Sequence, residues 1–145
     1  MKILLIEDTE HKKDQIVSFI IEEFPSVHLE LRKSYNSGLR EIIKNQDYSL
    51  ILLDMSLPNY DIEPGETGGD FESMAGSFLL QEMYRRDINI NVAIVTMYKN
   101  YTDEEFNSGL KDSFSNYLGV VYFNFNDPDS WKNELRTIIK TKNND

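Results

Sequence analysis

Cysteine is absent from the 145 residues. Disulfides, thiolate metal sites and cysteine nucleophiles are therefore excluded, and the composition suits a reducing compartment. Long apolar runs are missing too. The N-terminal run, Ile3-Leu4-Leu5-Ile6, stops at Glu7, far short of the roughly 20 residues a membrane span needs. No cleavage pattern follows it, so no signal peptide is expected. The expectation is a soluble, cytoplasmic protein with no membrane partner. Basic residues are scarce: 15 Lys and Arg stand against 25 Asp and Glu, a formal net charge of −10. Direct nucleic-acid binding is disfavoured, because such affinity comes largely from Lys and Arg neutralising phosphates. From Asn45 to Tyr84 there is no Lys or Arg at all, yet there are eight acids. Such a stretch reads either as a solvated face or as a seat for a metal or a basic partner. A Gly-rich phosphate loop after the first apolar run is lacking, which disfavours P-loop and dinucleotide folds, and serine-nucleophile motifs are lacking as well.

What is present alternates. Ile3 to Ile6 reads as a strand buried on both faces. Ile16, Phe19, Ile20 and Phe24 follow at helical spacing until Pro25-Ser26. Val27 to Leu31 alternates like a less protected strand. Leu39, Ile42 and Ile43 mark a second helix, with Asn36 or Ser37 as its cap. Leu50 to Leu53 is a buried strand ending at Asp54. Phe78, Leu79, Leu80 and Met83 give a third helix, and Ile90 to Val95 a strand ending at Thr96. Phe106, Leu110 and Phe114 suit a fourth helix, and Val120 to Phe123 a fifth strand. Trp131, Leu135, Ile138 and Ile139 form the apolar stripe of a last helix, capped by Asp127 before Pro128. Five strand-then-helix units predict an α/β fold with a five-stranded parallel sheet covered by helices on both faces. One domain over residues 1–145 is expected, with a long acidic, Gly-rich loop at about 58–76 and a frayed tail at 140–145.

Ligands of such sheets bind at the carboxyl ends of the strands. There the first strand delivers Glu7 and Asp8, the third Asp54 and the fourth Thr96. Crowded carboxylates repel one another, and a hard divalent cation relieves that cost. The residue types thus suit Mg2+, with Asp54 as a carboxylate nucleophile toward phosphorus and the Thr96 hydroxyl beside it. Taken alone, Asp8-Thr9 also reads as a helix cap; the whole set, each member at a strand end, is more specific.

The segments ILLIEDTEHKKDQIVSFI, YSLILLDMSLPN and VAIVTMY resemble the response-regulator receiver domains of two-component signalling, over essentially the whole chain. The resemblance implies a flavodoxin-like doubly wound (βα)5 receiver fold. It makes Asp54 the phosphoacceptor, Glu7 and Asp8 the acidic metal pair, the backbone carbonyl of Ser56 a further Mg2+ ligand beside Asp54, and Thr96 the switch hydroxyl. Leu57-Pro58 matches the family's Pro after the acceptor. Three departures stand out. The family places a Lys at the end of strand five, where this chain has Asn124 or Phe125. Lys99 reads as a solvated surface lysine, with reach into the pocket as the alternative. The loop from Asn59 to Gly76 exceeds the family's short turn; Asp61-Ile62-Glu63-Pro64-Gly65 does not fit an EF-hand, so calcium is not expected. Met97 replaces a small residue beside the switch hydroxyl and narrows access to Asp54, and the stretch from Thr96 to strand five is longer than usual.

The leading reading is a stand-alone phosphoacceptor. A histidine kinase or phosphotransfer protein donates to Asp54, and the modified domain signals to a downstream protein by contact. The chain is then no enzyme beyond its own phosphorylation and dephosphorylation chemistry. The rival is a degenerate pseudo-receiver that serves as a phosphorylation-independent interaction module. The missing Lys favours the rival, and the intact Glu7, Asp8, Asp54 and Thr96 favour the leader. A magnesium phosphohydrolase of the haloacid-dehalogenase kind is a poor match, because Ile6-Glu7-Asp8 lacks its paired Asp motif. His11 and His28 read as surface residues and Trp131 as core. Tyr98 and Tyr101 lie near the expected signalling face, where Tyr122 is either ordinary packing or a rotating switch aromatic.

Overall fold

The structure, a computed structural model, describes residues 1–63 and 70–143. The part of the acidic loop at 64–69, including Pro64-Gly65, and the last two tail residues lie outside the described residues. Strands β1 (Lys2–Ile6), β2 (His28–Arg32), β3 (Leu50–Leu53), β6 (Asn91–Thr96) and β7 (Tyr117–Tyr122) form one parallel sheet in the order β2-β1-β3-β6-β7. Between β3 and β6, the short strands β4 (Leu57–Pro58) and β5 (Phe71–Glu72) pair antiparallel. The helices are α1 (Glu10–Glu23), α2 (Tyr35–Lys44), α3 (Ala75–Arg85), α4 (Glu104–Ser113) and α5 (Pro128–Asn143). The alternation of strands and helices implies the parallel sheet, and the resemblance implies the doubly wound, flavodoxin-like strand order that the sheet has.

Strand side chains alternate between two cores, as the period of two requires. Leu4, Ile6, Ile51, Leu53, Val92 and Ile94 face Ile42, Leu79, Leu80, Met83 and Leu110 of α2, α3 and α4. Ile3, Leu5, Leu50, Leu52, Ala93 and Val95 face Ile16, Phe19, Ile20, Trp131, Leu135 and Ile139 of α1 and α5. Each fully buried aliphatic side chain contributes roughly 1.5–3 kcal/mol. Gly38 lets α2 close on β1, because a Cβ there would collide with the Ile6 side chain.

Several boundaries differ from expectation for physical reasons. The cap of α2 is Ser34, not Asn36 or Ser37. The Ser34 Oγ accepts from the Ser37 backbone N–H at 3.2 Å, and the Ser37 Oγ accepts from the Ser34 N–H at 3.2 Å, a reciprocal box. Strand β7 starts at Tyr117, three residues before the expected Val120. A bulge at Leu118-Gly119, with Gly119 at φ 130°, breaks the alternation that would have revealed it. In α5, residues 140–143 continue the helix rather than fraying; the Thr141 hydroxyl donates to the Thr137 carbonyl at 2.8 Å. The expected loop also ends early, since α3 takes in Ala75 and Gly76. Phe78 on α3 and Leu31 on β2 are exposed rather than buried. Among the described residues no helix is long and apolar enough to cross a membrane.

Candidate functional site

The ends of β1, β3 and β6 bring Glu7, Asp54 and Thr96 to one edge of the sheet, and all three are buried. At their centre stands a residue the sequence reading did not single out. Lys12, on the first turns of α1, is 0% exposed. Its Nζ lies 2.6 Å from Glu7 Oε2 and 3.0 Å from Asp54 Oδ2, and it donates to the Val95 carbonyl at 2.6 Å. An ammonium has three N–H donors, and here each has an acceptor, one from each of β1, β3 and β6. A buried charge without partners would cost several kcal/mol; this one is fully compensated.

The remaining carboxylate oxygens are held by backbone. Glu7 Oε1 accepts from the Thr9 N–H at 3.1 Å, and Asp54 Oδ1 accepts from the Met55 N–H at 2.7 Å. Thr9 occupies the N-cap position of α1, yet its side chain makes no cap bond. Burial pushes the Glu7 carboxyl up to about 7; Lys12 pulls it down and Asp54 pushes it further up. Burial also raises the half-buried Asp8, with Asp54 adding to the shift. A cavity of about 380 Å³ opens beside Asp8, lined by Asp8, Glu10, Lys33, Pro58, Ile62 and Glu63. The long loop therefore contributes one wall. Its base is tied to α2: the Asn36 N–H donates to the Asn59 carbonyl at 3.0 Å and the Ser34 hydroxyl donates to Asp61 Oδ1 at 2.7 Å.

The other candidates fall around this centre. The Thr96 Oγ1 accepts from the Tyr98 N–H at 3.1 Å, so its hydroxyl is held by the following turn. Met97 is half-buried and packs on the core between the sheet and α1 and α5. Ser56 is half-buried in the bend after β3. Lys99 does not reach in: it is exposed, with its Nζ 5.8 Å above the Tyr122 ring. Tyr122 pairs in register with Thr96. At the end of β7 neither candidate supplies a cation. Asn124 Oδ1 accepts from the Asn126 N–H at 3.0 Å, and Phe125 stacks on His11 with ring centroids 5.1 Å apart. His11 and His28 are exposed and Trp131 is core, as expected.

The three carboxylates are hard oxygen donors set against one ammonium, a donor set and charge balance that fit a divalent cation. Their side chains are not clustered for one as they stand: among the described residues no group of three or more His, Cys, Asp or Glu is arranged to hold a metal. Lys12 occupies the space between Glu7 and Asp54. The signal that could have found it is positional. Lys12 lies four residues before Ile16 and seven before Phe19, on the buried stripe of α1, where an unpartnered lysine is not tolerated.

No family model matches the chain. It is 31% identical over 100 residues to the Detocs response regulatory protein DtcB of Enterobacter cloacae, covering 68% of this chain and 67% of that one. It is 30% identical over 147 residues to the uncharacterized protein y4jR of Sinorhizobium fredii, covering 94% and 95%. Among solved structures, the response regulator TrrA of Thermotoga maritima in complex with Mg2+-BeF superposes with a TM-score of 0.64 at 16% identity, covering 97% of both chains. At that identity the likeness carries the fold alone. The sequence relative carries the family and the superposition the fold, and the chain belongs to the response-regulator receiver family.

Proposed function

We propose that Asp54 accepts a phosphoryl group and that the domain signals through the resulting change in its surface. The observation that carries this reading is the placement of Asp54. It is the one carboxylate at the end of the central strand β3, it is fixed by the Met55 N–H, and a cation lies 3.0 Å away. Receivers are signalling domains rather than classical enzymes, and the family works with histidine kinases or phosphotransfer proteins in general. One of these is the donor proposed for Asp54, and the recipient of the signal is a protein partner.

Glu7, Asp8, Asp54 and the Ser56 carbonyl would hold Mg2+. When bound, the metal neutralises phosphoryl oxygens. Everything else falls to the chain itself. The Met55 N–H orients the Asp54 carboxylate. Burial excludes water from it. The Thr96 hydroxyl, released from the Tyr98 N–H, is the group placed to meet a phosphoryl oxygen. The Thermotoga relative was solved with Mg2+-BeF, which supports carrying the same metal over to this chain.

One observation favours a second reading. The Lys12 ammonium already neutralises Asp54 and has no spare donor, as in a pocket kept permanently closed for a pseudo-receiver. Intact-mass measurement after incubation with Mg2+ and acetyl phosphate separates the two. A gain of one phosphoryl group in the wild type, lost in Asp54→Ala, is expected. No gain under conditions that modify an ordinary receiver selects the second reading, and a gain that persists in Asp54→Ala rejects the acceptor assignment.

A further inference from the structure

Resting on the Asp54 reading, the geometry points to Lys12 as the phosphoryl-binding cation of this domain, delivered from α1 in place of the lysine that the family carries at the end of strand five. A phosphoryl group brings about −1.5 to −2 charges, and without a lysine the metal would be left as its sole cationic partner. In this chain the end of β7 offers Asn124, whose side chain closes a local turn, and Phe125, which is half exposed. The nearest ammonium to the acceptor is Lys12 Nζ, 3.0 Å from Asp54 Oδ2. It is wholly buried and reaches the acceptor from the helix.

Transfer balances without further groups. The bond from phosphorus to the donor's leaving atom breaks, with its electron pair staying on the donor. One Asp54 carboxylate oxygen forms the new P–O bond. The ammonium keeps its three protons and changes only the oxygens that accept them. At rest those acceptors are Glu7, Asp54 and the Val95 carbonyl. Phosphorylation removes the charge of Asp54 and adds phosphoryl oxygens beside it, so at least one resting partner is given up. Each possible loss is structural. Releasing Glu7 frees the end of β1, and releasing the Val95 carbonyl frees the backbone next to Thr96. The tether that moves belongs to α1, so the charge change is transmitted to that helix as well as to the end of β6.

The stack of Phe125 on His11 fits this transfer of role. The segment that carries the lysine elsewhere in the family here braces the residue next to Lys12.

Lys12→Ala, Lys12→Arg and the charge-balanced double variant Glu7→Gln/Lys12→Met test the assignment on the full chain. Three readouts apply: the rate of phosphoryl gain from acetyl phosphate by intact mass, and calorimetric affinities for Mg2+ and for beryllofluoride in Mg2+. Lys12→Ala is expected to slow the gain and weaken beryllofluoride binding by roughly 100-fold, the size of losing one stabilising donor. Its Mg2+ affinity is expected to be unchanged or higher, because a competing cation has gone. The double variant removes the Glu7–Lys12 pair together and keeps the fold. If Lys12 only neutralises Glu7, that variant matches Glu7→Gln alone at saturating Mg2+ in phosphorylation and beryllofluoride binding, which overturns the assignment. If Lys12 holds the phosphoryl group, the double variant stays far slower than Glu7→Gln alone, and Lys12→Arg is the best of the Lys12 variants. Normal phosphorylation of every Lys12 variant overturns this inference and leaves Asp54 standing. A wild type that takes neither phosphoryl nor beryllofluoride overturns the Asp54 reading and this inference with it.

Discussion

The edge of the sheet formed by β1, β3 and β6 and the end of β7 face the same side of the molecule but solve opposite problems. At the first, one ammonium and two carboxylates are shut away from water with every donor matched: Lys12, Glu7 and Asp54 are 0%, 2% and 3% exposed. At the second, Asn124 and Phe125 make a local turn and an aromatic stack, and Phe125 is 47% exposed. In this chain the ammonium beside Asp54 comes from α1, while the end of β7 supplies none. What the chemistry requires is an ammonium within reach of the acceptor, and the first turns of α1 start directly above the ends of β1 and β3.

The sharpest way to break the comparison is to remove charge from each region. Lys12→Met leaves two buried carboxylates uncompensated and is expected to cost roughly 3–5 kcal/mol of stability in urea unfolding without metal. Glu7→Gln/Lys12→Met recovers the share owed to Glu7 and leaves the share owed to Asp54. Asn124→Ala, by contrast, removes one exposed turn bond and costs about 1 kcal/mol or less. Equal losses at the two sites contradict the account.

A second test is the pH dependence of stability in metal-free buffer. The Glu7 carboxyl is raised from 4.5 to about 7, so between those values the folded state binds more protons than the unfolded one. Stability therefore falls as pH rises through that window and levels off above it. The contribution is on the order of 3 kcal/mol, and Glu7→Gln should flatten this part of the urea-midpoint profile. A profile that rises across the window in the wild type, with no change in Glu7→Gln, contradicts the burial argument.

The smallest effect probes the link between the two regions. Phe125→Ala removes the stack on His11 and the edge contact with Phe123, whose centroid is 5.0 Å away. About 1 kcal/mol is expected, with faster amide exchange at the start of α1. Unchanged exchange there separates the β7 end from Lys12.

Most of the fold was legible because buried parallel strands announce themselves as continuous apolar runs. Leu50 to Leu53 and Ile3 to Ile6 needed no further information, and the strand ends then placed Glu7, Asp8, Asp54 and Thr96. Where the pattern fails, a specific residue explains it. Gly119 interrupts the alternation of β7. Ser34 caps α2 one residue before the first helical position, where Asn36 and Ser37 looked equally able. Lys12 was hidden because lysines are ordinarily solvated, and Lys13 beside it is one that pairs with Glu10 near the surface at 2.8 Å. Only the helical phase, which puts position 12 over Ile16, tells the two apart. No property of the sequence states that a buried cation on that stripe must meet an acid on β3, since that pairing spans 42 positions and exists only in the folded sheet.

The most direct measurement is a crystal structure of the Mg2+ and beryllofluoride adduct. The account predicts the beryllium on an Asp54 oxygen and Lys12 Nζ within about 3 Å of a fluoride, having given up at least one of Glu7, Asp54 and the Val95 carbonyl. An adduct in which Lys12 keeps all three resting partners, while another cation or Asn124 meets the fluorides, contradicts it.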